Sequence, residues 1–344
     1  MSFTQIILAW YDEHRRDLPW RNVSDPYRIW VSEIILQQTR VEQGYAYYLR
    51  FIEAFPSVEQ LAEASEDEVL RLWQGLGYYS RARNLHAAAR QIVEAGQFPT
   101  EYAGVRALKG VGDYTAAAIC SFAYGLPCAV VDGNVYRVLS RYWGIVEPID
   151  TTSGKKQFAA LAQRLLPAVR SADYNQALMD FGALQCVPQS PCCEDCPLQA
   201  GCEAFRCQMV GELPVKAHRT KVIPRYFVYV RVSTPGGVWL RRRKGGDIWQ
   251  GLYEYPLLEF EHRPSFAEIL EHPFIKLIGT QGTWSCLAEG VKHVLSHRIL
   301  WTDAYELKFD VPVSIPDDYQ QVPFDQLDNY ARPQLLMRFN WSKF

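Results

Sequence analysis

From residue 1 to about residue 205 the apolar positions recur at the spacing of helix faces, as in Ile29, Trp30 and Ile34. The pattern breaks at Pro56, at Gly75-Leu76-Gly77, at Gly96 and at Pro127, residue types that punctuate helices. This half predicts an all-α unit. After the polar, proline-bearing segment GELPVKAHRTKVIPR (211–225) the text changes to short runs of strand composition. These are YFVYVRV (226–232), GGVWLRRR (236–243) and ILWTDAYELKF (299–309), separated by glycine and proline. The second half therefore predicts an α+β domain. The expected organisation is a helical domain over 1–210, a linker over 211–224 and the α+β domain over 225–344. No internal repeat or low-complexity segment is present, and no run of like charge exceeds Arg241-Arg242-Arg243-Lys244.

Composition adds bounds to this picture. A chain of 344 residues with 48% hydrophobic content supports two packed cores. No stretch approaches the roughly 18 uncharged apolar residues of a membrane helix. The start, MSFTQIILAWYDEHRR, meets charge too early for a signal peptide, so a cytosolic location is expected. A monomer is expected. A formal net charge of −2 argues against indiscriminate polyanion binding and leaves room for local basic patches.

The nine cysteines are odd in number and most fall between 186 and 207, which fits a metal site in a reducing compartment better than disulfides. Cys186, Cys193, Cys196 and Cys202 form a C-x6-C-x2-C-x5-C set spanning 17 residues. Four thiolates so close can wrap one metal centre. Spacing alone leaves open a structural zinc and an iron–sulfur cluster. Cys192 and Cys207 fall outside the set, and Cys120, Cys128 and Cys286 sit in apolar settings as core residues.

The segment LKGVGDYTAAAI (108–119) predicts a short helix joined to a longer one through a turn. Its glycines, Gly110 and Gly112, permit positive φ and close approach of another backbone. Amides exposed at the start of the following helix suit it to hold a phosphate.

Together, LKGVGDYTAAAI, the following VDGNVYRVLSR (131–141) and the closing four-cysteine loop resemble the helix–hairpin–helix base-excision DNA glycosylases. The cysteine spacing is similar to the [4Fe–4S] loop of the endonuclease III and adenine glycosylase branch. RRDLPWR (15–21), WVSEIILQQTRV (30–41) and WQGLGYYSRARNL (73–85) narrow the resemblance to adenine DNA glycosylases of the MutY family. It covers the helical half and, less strongly, the second half, where that family carries a Nudix-like domain that recognises 8-oxoguanine. The resemblance implies a [4Fe–4S] cluster on Cys186, Cys193, Cys196 and Cys202, and a substrate of duplex DNA with adenine opposite 8-oxoguanine or guanine. Bifunctional relatives hold a lysine where this chain has Tyr114, and a phenol cannot form the imine that cuts the strand. A monofunctional glycosylase is therefore implied, with the Tyr114 hydroxyl orienting Asp132.

The chemistry asks for two carboxyl groups with different duties. Adenine leaves poorly until protonated, so one acid must stay neutral near pH 7. Glu33 shares a helix face with Ile29, Trp30 and Gln37, surroundings that raise a carboxyl pKa by desolvation. The other carboxylate must be ionised to steady charge developing on the sugar. Asp132 reads by itself as the N-cap of a helix beginning at Gly133, and the resemblance adds the catalytic role, with Asn134 helping to hold it and the attacking water. The resemblance also implies Gln38 and Tyr78 as wedges that fill the gap left by the flipped base, and Thr39 and Leu76 as contacts to 8-oxoguanine. It further implies Arg16, Trp20 and Arg21 as walls of the adenine pocket, with Gln176 reading the base edge. In the second half the family's phenylalanine-serine-histidine loop is here Leu295-Ser296-His297, so a hydroxyl and an imidazole remain while the aromatic contact is lost. No glutamate-rich Mg²⁺-binding helix of a Nudix pyrophosphatase is found, which argues against nucleotide hydrolysis.

Overall fold

The computed structural model describes residues 1–218 and 222–339. Residues 219–221 of the expected linker and the last five of the expected C-terminal domain lie outside the described residues. The chain divides into two compact units, Met1–Glu63 with Asn84–Arg219, and Ala64–Arg83 with Thr220–Phe344. Residues 64–83, which the helical period joins to the first half, thus group with the second.

In chain order the helices of the first half are α1 (Phe3–His14), α2 (Pro26–Leu36), α3 (Val41–Ala54), α4 (Val58–Glu63), α5 (Glu66–Trp73) and α6 (Ser80–Ala95). There follow α7 (Tyr102–Ala107), α8 (Asp113–Tyr124), α9 (Gly133–Trp143), α10 (Thr152–Leu165), α11 (Ser171–Leu184) and α12 (Glu203–Arg206). The core of the first unit forms where α1 offers Phe3, Ile7 and Trp10 to Val135, Val138 and Leu139 of α9, Phe158 of α10 and Tyr174, Leu178 and Phe181 of α11. Helix α2 starts on Asp25, whose carboxylate accepts from the Tyr27 amide at 2.9 Å, with Pro26 at the first helical position where its missing N–H costs nothing. Its residues 29–35 are all buried, so Glu33 enters the interior with its apolar neighbours.

The expected turn between a short and a longer helix lies between α7 and α8. Only one of its glycines uses positive φ: Gly110 stands at 76°, and a Cβ there would come within 2.5 Å of the Asn84 Cβ. Gly112 is extended, with φ −92°, and nothing lies within 4 Å of where its Cβ would be. Its lack of a side chain leaves open space at the start of α8.

Close helix approach sets the geometry beside Asp132. A Cβ on Gly182 of α11 would lie 2.6 Å from the Asn134 Cβ and 3.0 Å from the Asn134 carbonyl oxygen. Gly182→Ala must therefore push α11 from α9, and overpacking of this kind costs about 1–3 kcal/mol. Chemical denaturation should show that loss, although alanine is the better helix former.

In the second unit, β1 (Ile223–Thr234), β2 (Gly237–Arg242), β3 (Tyr253–Glu254), β4 (Leu257–Phe260), β5 (Thr283–Val294), β6 (Arg298–Lys308) and β7 (Gln320–Val322) form a mixed sheet. Its order is β3-β2-β1-β6-β5, with β1 and β6 parallel, β4 added to β1 and β7 to β2. Val228, Val230 and Val232 pack on Ile269 of α13 (Phe266–Glu271) and Ile275 of α14 (Pro273–Ile278). Phe227 and Tyr229 enter a second cluster with Leu335 and Leu336 of α15 (Gln334–Met337). Burial on both faces explains why YFVYVRV lacks polar alternation. Its one charge, Arg231, is buried against Glu306 at 2.9 Å.

Candidate active site

The loop preceding α9 presents Asp132 as the helix N-cap. One carboxylate oxygen accepts from the Val135 amide at 2.8 Å, and the other from the Asn134 side-chain amide at 2.7 Å. Arg137 in turn donates to the Asn134 side-chain Oδ1 at 2.8 Å and to the Gly182 and Cys186 backbone carbonyls. Burial raises the Asp132 pKa, and these donors together with the Arg137 charge oppose that rise.

Glu33 faces the same cavity, which has a volume of about 530 Å³, the size of a small-molecule site. The glutamate is only 6% exposed. Burial pushes its carboxyl up to about 7, against the opposing pull of a hydrogen bond from Tyr114. That bond runs from the Tyr114 hydroxyl to Glu33 Oε2 at 2.6 Å. The expected partner of this hydroxyl was Asp132; the structure gives it to Glu33, and the side chain of Asn134 holds Asp132 instead. Burial and the two carboxyls keep the phenol itself far above its ordinary pKa, so it remains a donor. Removing it in Tyr114→Phe takes away a force that lowers the Glu33 pKa. The alkaline limb of any Glu33-dependent rate should then move to higher pH, as a single-turnover pH profile will register.

Arg16, Trp20, Arg21, Thr39 and Gln176 line this cavity as well. The two arginines converge on Asp180, a residue the sequence reading missed. Asp180 is fully buried and accepts from Arg16 Nε at 2.9 Å and from Arg21 Nη1 and Nη2 at 2.5 and 2.7 Å. Burial pushes its carboxyl upward, but the bonds and charges of Arg21 and Arg16 outweigh this and hold it below the usual range. The available signal was its place one turn beyond Gln176 on α11. Gln176 accepts from the Tyr11 hydroxyl at 2.8 Å, which fixes its amide. Gln38, just past α2, is exposed and left-handed at φ 55°.

The four cysteines lie on one loop beyond α11, and all nine cysteines of the chain are free thiols. Cys186 and Cys196 pack against the core of the unit. Arg141, buried, donates to Cys186 Sγ at 3.4 Å and to the Val187 and Pro188 carbonyls at 2.8 and 3.0 Å. Among the described residues no group of three or more His, Cys, Asp or Glu side chains is set to hold a metal ion. The Cys196 thiol lies within electrostatic reach of the thiols of Cys186, Cys202 and Cys193. The loop's four sulfur donors match in number and chemistry what an iron–sulfur cubane requires.

In the second unit Leu76, Tyr78, Leu295, Ser296 and His297 border one groove of about 420 Å³. Ser296 and His297 occupy the exposed turn between β5 and β6, and the Ser296 hydroxyl hydrogen-bonds the Tyr78 hydroxyl. Leu295 packs partly against the sheet core. Trp249 and His293 also line the groove, with ring centroids 5.9 Å apart, and were not read from the sequence. Trp249 adopts φ 61°, a conformation unusual for a bulky side chain.

Residues 31–168 match the family model described as HhH-GPD superfamily base excision DNA repair protein, and residues 226–339 match a NUDIX domain. Among solved structures, a thermostable thymine-DNA glycosylase aligns with a TM-score of 0.56 at 32% identity, covering 59% of this chain and 95% of its own. An endonuclease III–DNA complex shares the fold, with a TM-score of 0.50 at 22% identity, covering 61% and 99%. The adenine DNA glycosylase of Buchnera aphidicola subsp. Baizongia pistaciae is 36% identical over 74% of each chain. That of Mus musculus is 34% identical over 90% of this chain and 71% of its own. The Homo sapiens enzyme is 44% identical over 59% of this chain and 39% of its own. The chain belongs to the adenine DNA glycosylase family.

Proposed function

We propose that the protein removes adenine from duplex DNA where it stands opposite 8-oxoguanine or guanine, by hydrolysis and without cutting the strand. Membership of the family makes it a DNA glycosylase, a hydrolase of the base–sugar bond. The observation that carries the reading is the pair of carboxyls facing one cavity in different surroundings. Glu33 is buried and takes its proton near neutrality, whereas Asp132 accepts from the Val135 amide and the Asn134 side chain and feels the Arg137 charge.

Adenine turned into the cavity would lie among Arg16, Trp20, Arg21 and Gln176. Glu33 gives its proton to a ring nitrogen of the base as the bond to the sugar breaks. The Asp132 carboxylate steadies the cationic sugar, and water adds to that carbon and passes its proton to the Glu33 carboxylate, while Asn134 keeps the Asp132 carboxylate in place. Tyr114 cannot form a Schiff base, so no strand cleavage accompanies the reaction. The start of α8, with Gly110 and Gly112, would take a backbone phosphate. Gln38 and Tyr78 would fill the space left by the flipped base, each already in a left-handed backbone conformation. Leu76, Ser296 and His297 would contact the base opposite.

Cys186, Cys193, Cys196 and Cys202 would hold a [4Fe–4S] cluster, which when bound supplies a thiolate-linked, electron-exchanging centre that folds the loop. To test the substrate reading, single-turnover release of free base is measured on duplexes carrying adenine opposite 8-oxoguanine, guanine and thymine. Release should be fastest opposite 8-oxoguanine, slower opposite guanine and slowest opposite thymine. Equal release from all three would remove the proposed specificity.

A further inference from the structure

The turn from Trp73 to Tyr79 holds three left-handed residues, Gly75 at φ 100°, Gly77 at 76° and Tyr78 at 46°. Glycine takes this conformation freely; tyrosine does so under strain, and strained residues persist only where their surroundings over-determine them. Part of that determination is internal to the turn. The Leu76 amide bonds the Trp73 carbonyl at 3.1 Å, the Gly75 amide bonds the Tyr79 hydroxyl at 3.2 Å, and Trp73 Nε1 bonds the Gly77 carbonyl at 3.2 Å.

Arg81 adds to it. It is 8% exposed, and its Nη2 donates to the Gly77 carbonyl at 3.1 Å and to that of Leu76 at 3.4 Å. The Gly77 oxygen thus accepts from two side chains. The Arg81 guanidinium carbon also lies 5.3 Å from the centroid of the buried Trp73 ring and 5.7 Å from that of Tyr78. Tyr78 is 46% exposed, and its hydroxyl meets that of Ser296. A guanidinium combines donors in its plane with a flat cationic face, so one group can grip backbone oxygens and bear on an aromatic ring. An ammonium has no such plane.

We propose that Arg81 is a positioning residue for recognition of the base opposite adenine: by gripping the Leu76 and Gly77 carbonyls and bearing on the Tyr78 ring, it sets the Tyr78 hydroxyl against Ser296 before DNA arrives. Preorganisation of this kind spares the ordering cost on binding. The proposal rests on the reading of Tyr78 as a wedge in the gap left by the flipped base and of Ser296 as a contact to the base opposite. It acts through Tyr78 and leaves the Glu33–Asp132 chemistry untouched.

The test compares wild type, Arg81→Met, Arg81→Lys, Tyr78→Ala and the Arg81→Met/Tyr78→Ala double variant. Two ratios are read between duplexes with adenine opposite 8-oxoguanine and opposite guanine: single-turnover base release, and affinity for a duplex whose adenosine carries a 2′-fluoro group that blocks base loss. Arg81→Met should lower both ratios about tenfold, the worth of one to two hydrogen bonds. Arg81→Lys should lower them about threefold, since it restores a donor but not the plane. In the Tyr78→Ala background, Arg81→Met should change the ratios no further, a non-additivity that general destabilisation would not produce. Wild-type ratios in a folded Arg81→Met protein overturn the proposal, as does the same fall repeated in the Tyr78→Ala background. Should Arg81→Met not fold, Arg81→Lys decides, and a wild-type ratio there overturns it equally. Failure of wild type to release adenine would sink the glycosylase reading instead, while the affinity ratio would still judge Arg81.

Discussion

Asp132→Asn should leave a folded protein that binds duplex DNA and releases adenine more slowly by about a thousandfold, the upper range for loss of one electrostatic stabiliser. The carboxylate oxygens accept from the Val135 amide and the Asn134 side chain. An asparagine oxygen can take over the first of these bonds, and asparagine caps helices about as well as aspartate. The N-cap therefore survives. What is lost is the negative charge beside the sugar, and with it the stabilisation of the cation at the moment of bond breaking. Thermal melts near the wild-type value, with normal DNA affinity, would locate the defect in the chemical step. A variant that keeps more than a tenth of the wild-type rate would show that Asp132 is a cap and nothing more.

Glu33→Gln should be nearly as inactive and yet more stable at alkaline pH. An amide has no acidic proton to give, and general-acid catalysis is worth about 10²- to 10⁴-fold. On the proposed mechanism the acid form is the active one in wild type. Base release should accordingly hold up below about pH 7 and decline as pH rises through it, where burial sets the Glu33 pKa. Stability follows the same sign. The folded pKa lies above the ordinary 4.5, so the contribution of this group is intact below pH 4.5 and is lost as pH rises through about 7. Ionising a carboxyl raised from 4.5 to about 7 costs on the order of 3 kcal/mol. Glutamine escapes that cost, so the variant should melt above wild type at pH 8, and the difference should shrink toward pH 4.5. Melting curves at the two pH values check the sign.

Much of the architecture was legible because local chemistry and fold agree. The turn between α7 and α8 follows from LKGVGDYT, and β1, β2 and β6 from their β-branched and aromatic runs. Strand β5 was not read, since its pairing slips between Cys286 and Ala288 and again before Val291, which destroys the two-residue alternation. The grouping of residues 64–83 with the C-terminal unit was hidden because helical periodicity reports which face is buried and not what buries it. Arg242 bonds Glu66 at 2.8 Å and the Tyr253 hydroxyl bonds Asp67 at 3.1 Å, partners more than 170 residues away in the chain.

At the site, the two carboxyls could be named from helix-face neighbours and motif, but not their partners. Tyr114 serves Glu33 because α8 packs on α2, a tertiary relation no spacing carries. Asp180 drew no reading because its partners, Arg16 and Arg21, come from more than 150 residues upstream. Trp249 had no signal, as its left-handed backbone depends on the loop around it.

The most direct test is the product analysis of one turnover on a duplex with adenine opposite 8-oxoguanine, labelled on the adenine strand. Free adenine should appear while that strand stays intact until alkali is added, and borohydride should trap no protein–DNA adduct. Strand scission before alkali, in step with base loss and with a trapped adduct, would contradict the assignment of Glu33, Asp132 and Tyr114 to hydrolysis alone.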